Sequence, residues 1–431
     1  MNRTALALLW LATAFVSTTP LFANDPVKPA ATRVSDGFEV DANEWPWWRG
    51  PQRDGTASAS HAPLEFTEDN LLWKAKVPGR GHGSPTVVGN RVLLATADEE
   101  TGSQSLLCYS RENGELLWEN KIHASGAMKR NKKASAASST PAWDGERAYI
   151  CFPNSGALFV TAVNGEGEEV WQKQVSKYVV HQGYGASPAL YQDLVIVSAD
   201  NKSGGAIAAY ERKTGELVWK RERPSEPNYP SPTILHAAGK DQLIMTGCDK
   251  VSSFDPLTGK TIWEIEGATT ECVTSTVTDG NLVYTSGGYP KNHMSAVRAD
   301  GSGEVVWENG SRLYVPSLVI HDGYLYGVLD AGIATCWKAD TGKEIWKHRL
   351  GGTFSSSPVL VGSSILVANE AGSHFVFEAT ESGFKQIAQS KLGNQVFATP
   401  TIVGGRVFHR VVGKDDKGAR QEWLHCFGAK H

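Results

Sequence analysis

The 431-residue chain holds only six cysteines, at positions 108, 151, 248, 272, 336 and 426, and none forms a CxxC pair or two adjacent cysteines. A disulfide-built miniprotein and a zinc ribbon are therefore excluded. Apart from the first residues there is no run of about 18 consecutive apolar residues, so no later segment reads as a membrane-spanning helix. Charge of one sign is missing too. A formal net charge of -4 gives no electrostatic footprint for DNA, RNA or an anionic membrane. No HExxH or GxSxG motif occurs, and the histidines are too scattered to argue a Ser/His/Asp set. The Gly259-Lys260-Thr261 run lacks the glycine five residues earlier that a phosphate loop requires, because position 254 is Phe254. Long stretches of 3.6-residue periodicity are likewise scarce after residue 40.

What is abundant is glycine, at 44 residues, and tryptophan, at 14, and both recur in register. YSRENGELLW, YERKTGELVW, FDPLTGKTIW and WKADTGKEIW share an apolar or aromatic start, a polar turn with glycine, and a strand ending in Trp. Looser copies end at Trp171 and Trp307. From Trp73 the spacings to Trp118, Trp171, Trp219, Trp263, Trp307 and Trp346 are 45, 53, 48, 44, 44 and 39 residues. An eighth copy places Ala388 where Trp belongs. A parallel series of short segments with Ser or Thr and usually Pro begins at 84, 139, 187, 231, 275, 316, 357 and 399. Each is followed by an unbroken apolar run such as RVLLATA, which suits a strand covered on both faces.

A period near 45 residues means an array of one supersecondary unit, and four antiparallel strands per unit read as a β-propeller. The expectation is an all-β, eight-bladed propeller over residues 71–431, after a leader at 1–23 and an extended segment at 24–70. The strand holding Leu72 and Trp73 should complete the last blade and close the ring. Gly259 becomes a hairpin glycine. Each interblade Trp removes roughly 150–250 Å² from water, an upper bound of about 4–6 kcal/mol before entropy. By this logic Ala388 leaves one junction weak, and a Trp there should preserve or raise the melting temperature.

The repeat resembles the pyrroloquinoline-quinone-like propeller class, which includes eight-bladed quinoprotein alcohol dehydrogenases and BamB-like assembly lipoproteins. The opening WPWWRGPQRDG (45–55) is similar to leaders of exported members. The resemblance implies either a non-enzymatic scaffold in the cell envelope, or a quinone- and calcium-dependent alcohol or sugar dehydrogenase. No cofactor is expected under the first reading; the quinone and calcium enter only under the second. Arg3, the apolar run 5–16 and a cut after Ala23 form a secretory leader without a lipidation cysteine. The chain is thus expected to be exported, soluble and monomeric, with a protein or envelope ligand as partner and no nucleic acid.

Propeller topology places loops before first strands and after second strands around one channel mouth. They supply Arg80, His82, Tyr178, His181, Tyr184, Tyr229, Tyr289, His293, Arg312 and Tyr314, rings and cations suited to a planar, peptide-like or sugar ligand. Cys248 and Cys272 fall on that face as candidates for a disulfide. Asp200, Asn201, Asp249 and Glu271 are the oxygen-bearing residues there, without spacing that guarantees convergence on calcium. The basic loop 128–139 is a candidate contact for an acidic partner. No catalytic residue is assigned.

Overall fold

Every repeat forms an antiparallel sheet of four strands, and eight such sheets, one of them extended by a short fifth strand, account for the regular structure of the described residues. In this computed structural model the described residues are 34, 36–57, 62–128, 131 and 133–429. The chain divides into two units, Met1–Ala31 and Thr32–His431; the first, with the expected leader at 1–23, lies outside the described residues.

Blade I is typical: Thr86–Val88, Arg91–Ala97, Gln104–Ser110 and Leu116–His123, strands A to D. Blades II to VII run from Ala142–Trp143 to Glu169–Lys177, Ala189–Tyr191 to Leu217–Arg223, Thr233–Ala237 to Thr261–Glu266, Val277–Thr278 to Val305–Asn309, Val319–His321 to Glu344–Arg349, and Val359–Val361 to Gln386–Lys391. In blade VIII, strands A to C are Thr401–Val403, Arg406–Lys414 and Arg420–Phe427, and the fourth is Leu71–Val77. Trp73 sits opposite Cys426, as the sequence predicts. This pairing closes the ring and removes its free edges.

The Trp and Gly of the repeat turn out to be one device. In five blades the turn glycine (Gly114, Gly167, Gly215, Gly259 and Gly342) lies on the indole of the blade before it, whereas Gly303 meets Ile265 instead and Gly383 faces open space. Gly259 has a φ of +66°, and a Cβ there would stand 2.7 Å from the Trp219 ring, so both backbone conformation and space require glycine. The same turn supplies the acceptor. Trp219 Nε1 donates to Pro256 O at 3.1 Å, Trp171 Nε1 to Arg212 O at 2.9 Å, and Trp307 Nε1 to Ala339 O at 2.7 Å. Trp73, Trp118 and Trp346 do likewise toward Arg111, Gly165 and Thr380. Trp263 departs from the pattern: it is buried against blade V, but its Nε1 donates within its own blade to Gln242 Oε1 at 2.8 Å.

Ala388 occupies the Trp position, opposite Val376 and with the same bulge beside it. The junction it faces differs, however. Strands C and D of blade VIII come from opposite ends of the fold, so that blade has no C–D hairpin to receive an indole. Phe66 fills the gap, 4.7 Å from Phe427 and 5.0 Å from His374, in one buried cluster with Ala388. The expectation of a weak junction is corrected: the wedge comes from the N-terminal segment. Ala388→Trp should therefore overpack the site and cost about 1–3 kcal/mol, read as a lower melting midpoint; an unchanged or raised midpoint would refute the placement of Phe66.

Beside this junction three histidines are buried. His374 Nε2 lies 3.1 Å from His409 Nδ1, and His409 Nε2 meets Ala398 O at 3.0 Å. Burial lowers all three pKa values: His374 well below 6.5, His409 to about 4 and His425 to about 3, with Lys74 opposing charge on His425 and Lys391 on His374. A proton then favours the unfolded chain, whose imidazoles titrate near 6.5. Stability should be full above pH 6.5 and decline as the pH falls through 4 toward 3. At pH 4.5 His409 alone should account for about 2–3 kcal/mol of the loss in urea unfolding, and His409→Gln should flatten the decline.

Candidate functional site

First strands of neighbouring blades touch around the axis, and the Ser or Thr beginning each repeat explains how. The backbone N–H of one donates to the hydroxyl of the next: Ser84 to Thr140 at 3.0 Å, Thr140 to Ser187 at 2.9 Å, Ser187 to Ser231 at 2.8 Å. The series resumes from Ser275 through Ser317 and Ser357 to Thr399, which returns to Ser84 Oγ at 3.1 Å. Between Ser231 and Ser275 the pattern yields to Trp48, whose Nε1 donates to Ser275 Oγ at 2.7 Å.

Trp48 arrives there because residues 36–57 cross beneath the ring. Asp36 O accepts from Gln192 in blade III, Trp45 exchanges two backbone bonds with Val87 in blade I, and Thr56–Ala57 adds a parallel strand to Val359–Val361 in blade VII. Arg53 holds Asp36 at 2.8 Å and Leu190 O at 2.8 Å, with its guanidinium 4.3 Å from the Trp47 ring. Arg49 is buried and donates to the carbonyls of Leu318, Pro358 and Asp54. A Cβ on Gly55 would strike its guanidinium and one on Gly50 would strike Trp45. The WPWWRGPQRDG stretch is thus a plug built of mutually seated residues.

Above Trp48 opens a cavity of about 750 Å³, lined by loops before A strands and after B strands. His82, His181, Tyr184, Tyr229, Tyr289, Arg312 and Tyr314 line it, as the topology argument expects. Arg80, Tyr178 and His293 do not. Arg80 lies near Glu99 and Lys133 O at 3.4 and 3.3 Å; Tyr178 is buried edge-on to Tyr184; His293 Nε2 meets Ser295 Oγ at 3.2 Å. Three carboxylates that the topology places around the mouth also line the cavity. Glu271 Oε2 accepts from Tyr314 Oη at 3.0 Å and Oε1 lies 3.3 Å from His181 Nε2. Asp330 accepts the amides of Tyr314 and Val315 at 2.9 and 3.3 Å; burial raises its carboxyl, against which Arg312 pulls. Glu370 holds Lys133 Nζ at 2.8 Å and Ser355 Oγ at 2.8 Å. Burial, then the Glu271 charge, raises the phenols of Tyr229 and Tyr314, which remain protonated donors. Asp330, Glu370 and Trp48 escaped the sequence reading, although the position of their loops and the aromatic leader were visible signals.

The proposed Cys248–Cys272 disulfide is not formed; both are buried free thiols. The Cys248 Sγ faces Asp200 Oδ2 and Glu226 O at 3.8 and 3.9 Å, whereas the Cys272 Sγ turns to Thr269 Oγ1 at 3.5 Å. The oxygen-bearing candidates are dispersed. Asp200 is tied to Arg223 and Asn228, Asn201 holds backbone groups, and Asp249 accepts from Thr270. Among the described residues no three His, Cys, Asp or Glu side chains converge as a metal site. A quinone carrying several carboxylates would meet Glu271, Asp330 and Glu370, with Lys133 already paired to Glu370 and Arg312 acting on Asp330 through its charge. The donor set does not fit a calcium–quinone pair.

A closed ring of eight four-stranded blades with interblade Trp–Gly contacts defines a pyrroloquinoline-quinone-like β-propeller. The sequence matches the family described as outer membrane protein assembly factor BamB over residues 64–178, 102–348 and 290–386, and the chain belongs to that family. Among characterised proteins it is 22% identical to a tetrathionate hydrolase of Acidithiobacillus ferrooxidans, over 69% of this chain and 65% of that protein. It is 22% identical to a polyvinylalcohol dehydrogenase of Sphingopyxis sp., over 80% of this chain and 50% of the other. BamB of Burkholderia pseudomallei is 24% identical over 44% and 46% of the two chains. The chain thus spans between 46% and 65% of the length of these relatives. Solved structures share the fold: BamB from Moraxella catarrhalis at TM-score 0.57 and 13% identity, covering 82% and 98% of the two chains, and a europium-containing methanol dehydrogenase at 0.65 and 11%, covering 90% and 98%. No helix among the described residues is long and apolar enough to cross a membrane.

Proposed function

We propose that this propeller is an exported, monomeric, non-enzymatic scaffold of the cell envelope that recognises a protein or envelope ligand through its mouth cavity. The observation that carries the reading is the cavity itself. It measures about 750 Å³, is floored by Trp48, and is walled by aromatic and charged side chains, with no converged metal ligands among the described residues. That volume lies within the range of small-molecule and peptide sites. Membership of the BamB family supports the scaffold role. Relatives whose names denote a hydrolase and a dehydrogenase make the enzymatic alternative the one to test. Purified protein incubated with the quinone and calcium should develop no cofactor absorbance and reduce no dye with alcohols or sugars. Turnover in that assay would overturn the scaffold reading.

A further inference from the structure

The charges lining the cavity are not balanced. Lys133 is paired with Glu370 and Arg312 acts on Asp330 through its charge, whereas Glu271 is a buried carboxylate whose neighbours are the neutral Tyr314 and Tyr229 hydroxyls and the His181 imidazole. Aromatic residues gather about the turn that carries this carboxylate. Glu271 N donates to Tyr289 O at 3.1 Å, which sets Tyr289 beside it, and Tyr229 N donates to the neighbouring Cys272 O at 3.0 Å. Tyr314 lies against the same turn, since a Cβ on Gly288 would stand 2.4 Å from the Tyr314 Cβ. The Tyr229 hydroxyl faces the same carboxylate. The residue is only 8% exposed and lines the cavity, and its hydroxyl faces Glu271 and the Gln182 amide without a well-formed hydrogen bond to either. A buried phenol without a well-formed hydrogen bond carries a desolvation cost that a ligand group would relieve.

We infer that Glu271, with Tyr229, Tyr289 and Tyr314, holds one organic cation, the ammonium or guanidinium of a Lys or Arg side chain presented on a peptide. A carboxylate beside aromatic faces attracts such a group by charge and by the ring quadrupoles together. The cavity's volume exceeds what a bare ammonium fills, so the rest of the space takes the flanking peptide. Tyr289, 55% exposed at the rim, meets the incoming chain, and Tyr229 Oη, facing Glu271, accepts from the cation's second N–H. This assignment rests on the mouth cavity being the recognition site, and it names the chemistry recognised there.

The test is calorimetric titration of the full chain with acetyl-arginine methylamide and acetyl-lysine methylamide, against the neutral isostere acetyl-citrulline methylamide, the acidic acetyl-glutamate methylamide, and methylguanidinium alone. Saturable binding of the two basic probes at least about tenfold tighter than citrulline is expected, with methylguanidinium weaker than acetyl-arginine methylamide. Glu271→Gln, which preserves an acceptor for Tyr314, should erase that preference without moving the melting midpoint. Tyr289→Ala, at an exposed site, should weaken basic probes several-fold and leave the fold intact. Equal binding of citrulline or the glutamate probe, or a preference that survives Glu271→Gln, overturns the cation assignment while the cavity remains a recognition site. Binding of none of the probes overturns the assignment as well. Quinone-dependent turnover is the separate result that overturns the scaffold reading.

Discussion

Trp171→Ala should destabilise the propeller by about 3–5 kcal/mol, the usual cost of truncating a buried Trp and leaving the space unfilled. The indole lies between blades II and III, 5.8 Å from Tyr149 and 6.5 Å from Tyr210, and donates to Arg212 O. Gly215 leaves no side chain to collapse into the hole, because a Cβ there would already stand 2.7 Å from the ring. The loss combines lost apolar burial with a carbonyl stripped of its donor. Leu217→Ala is the control: it sits on the same edge of the propeller, is 55% exposed, and should change stability by no more than about 0.5 kcal/mol. Urea unfolding of the two variants against wild type measures the difference. A Trp171→Ala variant within about 1 kcal/mol of wild type would mean that the Trp–Gly contact is not what joins the blades.

Arg49→Ala should be as severe, at about 3–5 kcal/mol, for a different reason. The guanidinium is buried under the ring and donates to carbonyls of blades VI and VII as well as to Asp54 O. Burial lowers its pKa to about 10, so it remains charged at neutral pH. Truncation would leave those carbonyls buried without a donor and the plug without its link to the far side of the ring. Arg49→Lys should recover only part of the loss, because an ammonium on one stem does not reproduce the planar fork. Limited proteolysis reads the local effect. Cleavage within residues 36–57 should accelerate in Arg49→Ala and Arg49→Lys, whereas Ala388→Trp should leave that segment protected. Unchanged proteolysis in Arg49→Ala would show that the backbone bonds of Trp45 and the Thr56–Ala57 strand hold the plug unaided.

The fold was legible because its determinants are local and repeated. Trp at intervals near 45 residues, a polar turn with glycine before it, and Ser or Thr opening each unit recur often enough to count the blades and to pair residues 71–77 with the last one. Ala388 shows the limit of that reading. A missing Trp reads as a deficit when each unit is compared with its neighbours, yet the partner that fills the gap, Phe66, lies more than 300 residues away in the chain. No periodic pattern reports such a contact. Cys248 and Cys272 illustrate the same point at smaller scale: sequence and topology place them on one face, but side-chain direction sends each sulfur to a different neighbour.

For the site, the loop order was enough to say which segments surround the mouth, and seven of the nominated side chains do line it. Loop order does not say how far each side chain reaches, so Tyr178 was indistinguishable from Tyr184. Nor does it say that Glu271 faces tyrosine hydroxyls and an imidazole while Glu370 is paired with Lys133. The amino-acid sequence by itself determined the number of blades, their strand order and the way the circle closes, because turn chemistry and side-chain alternation act over a few residues. Only the tertiary structure decided which residues plug the channel and which charge in the cavity is left over, because those depend on distances between segments that the chain brings together last.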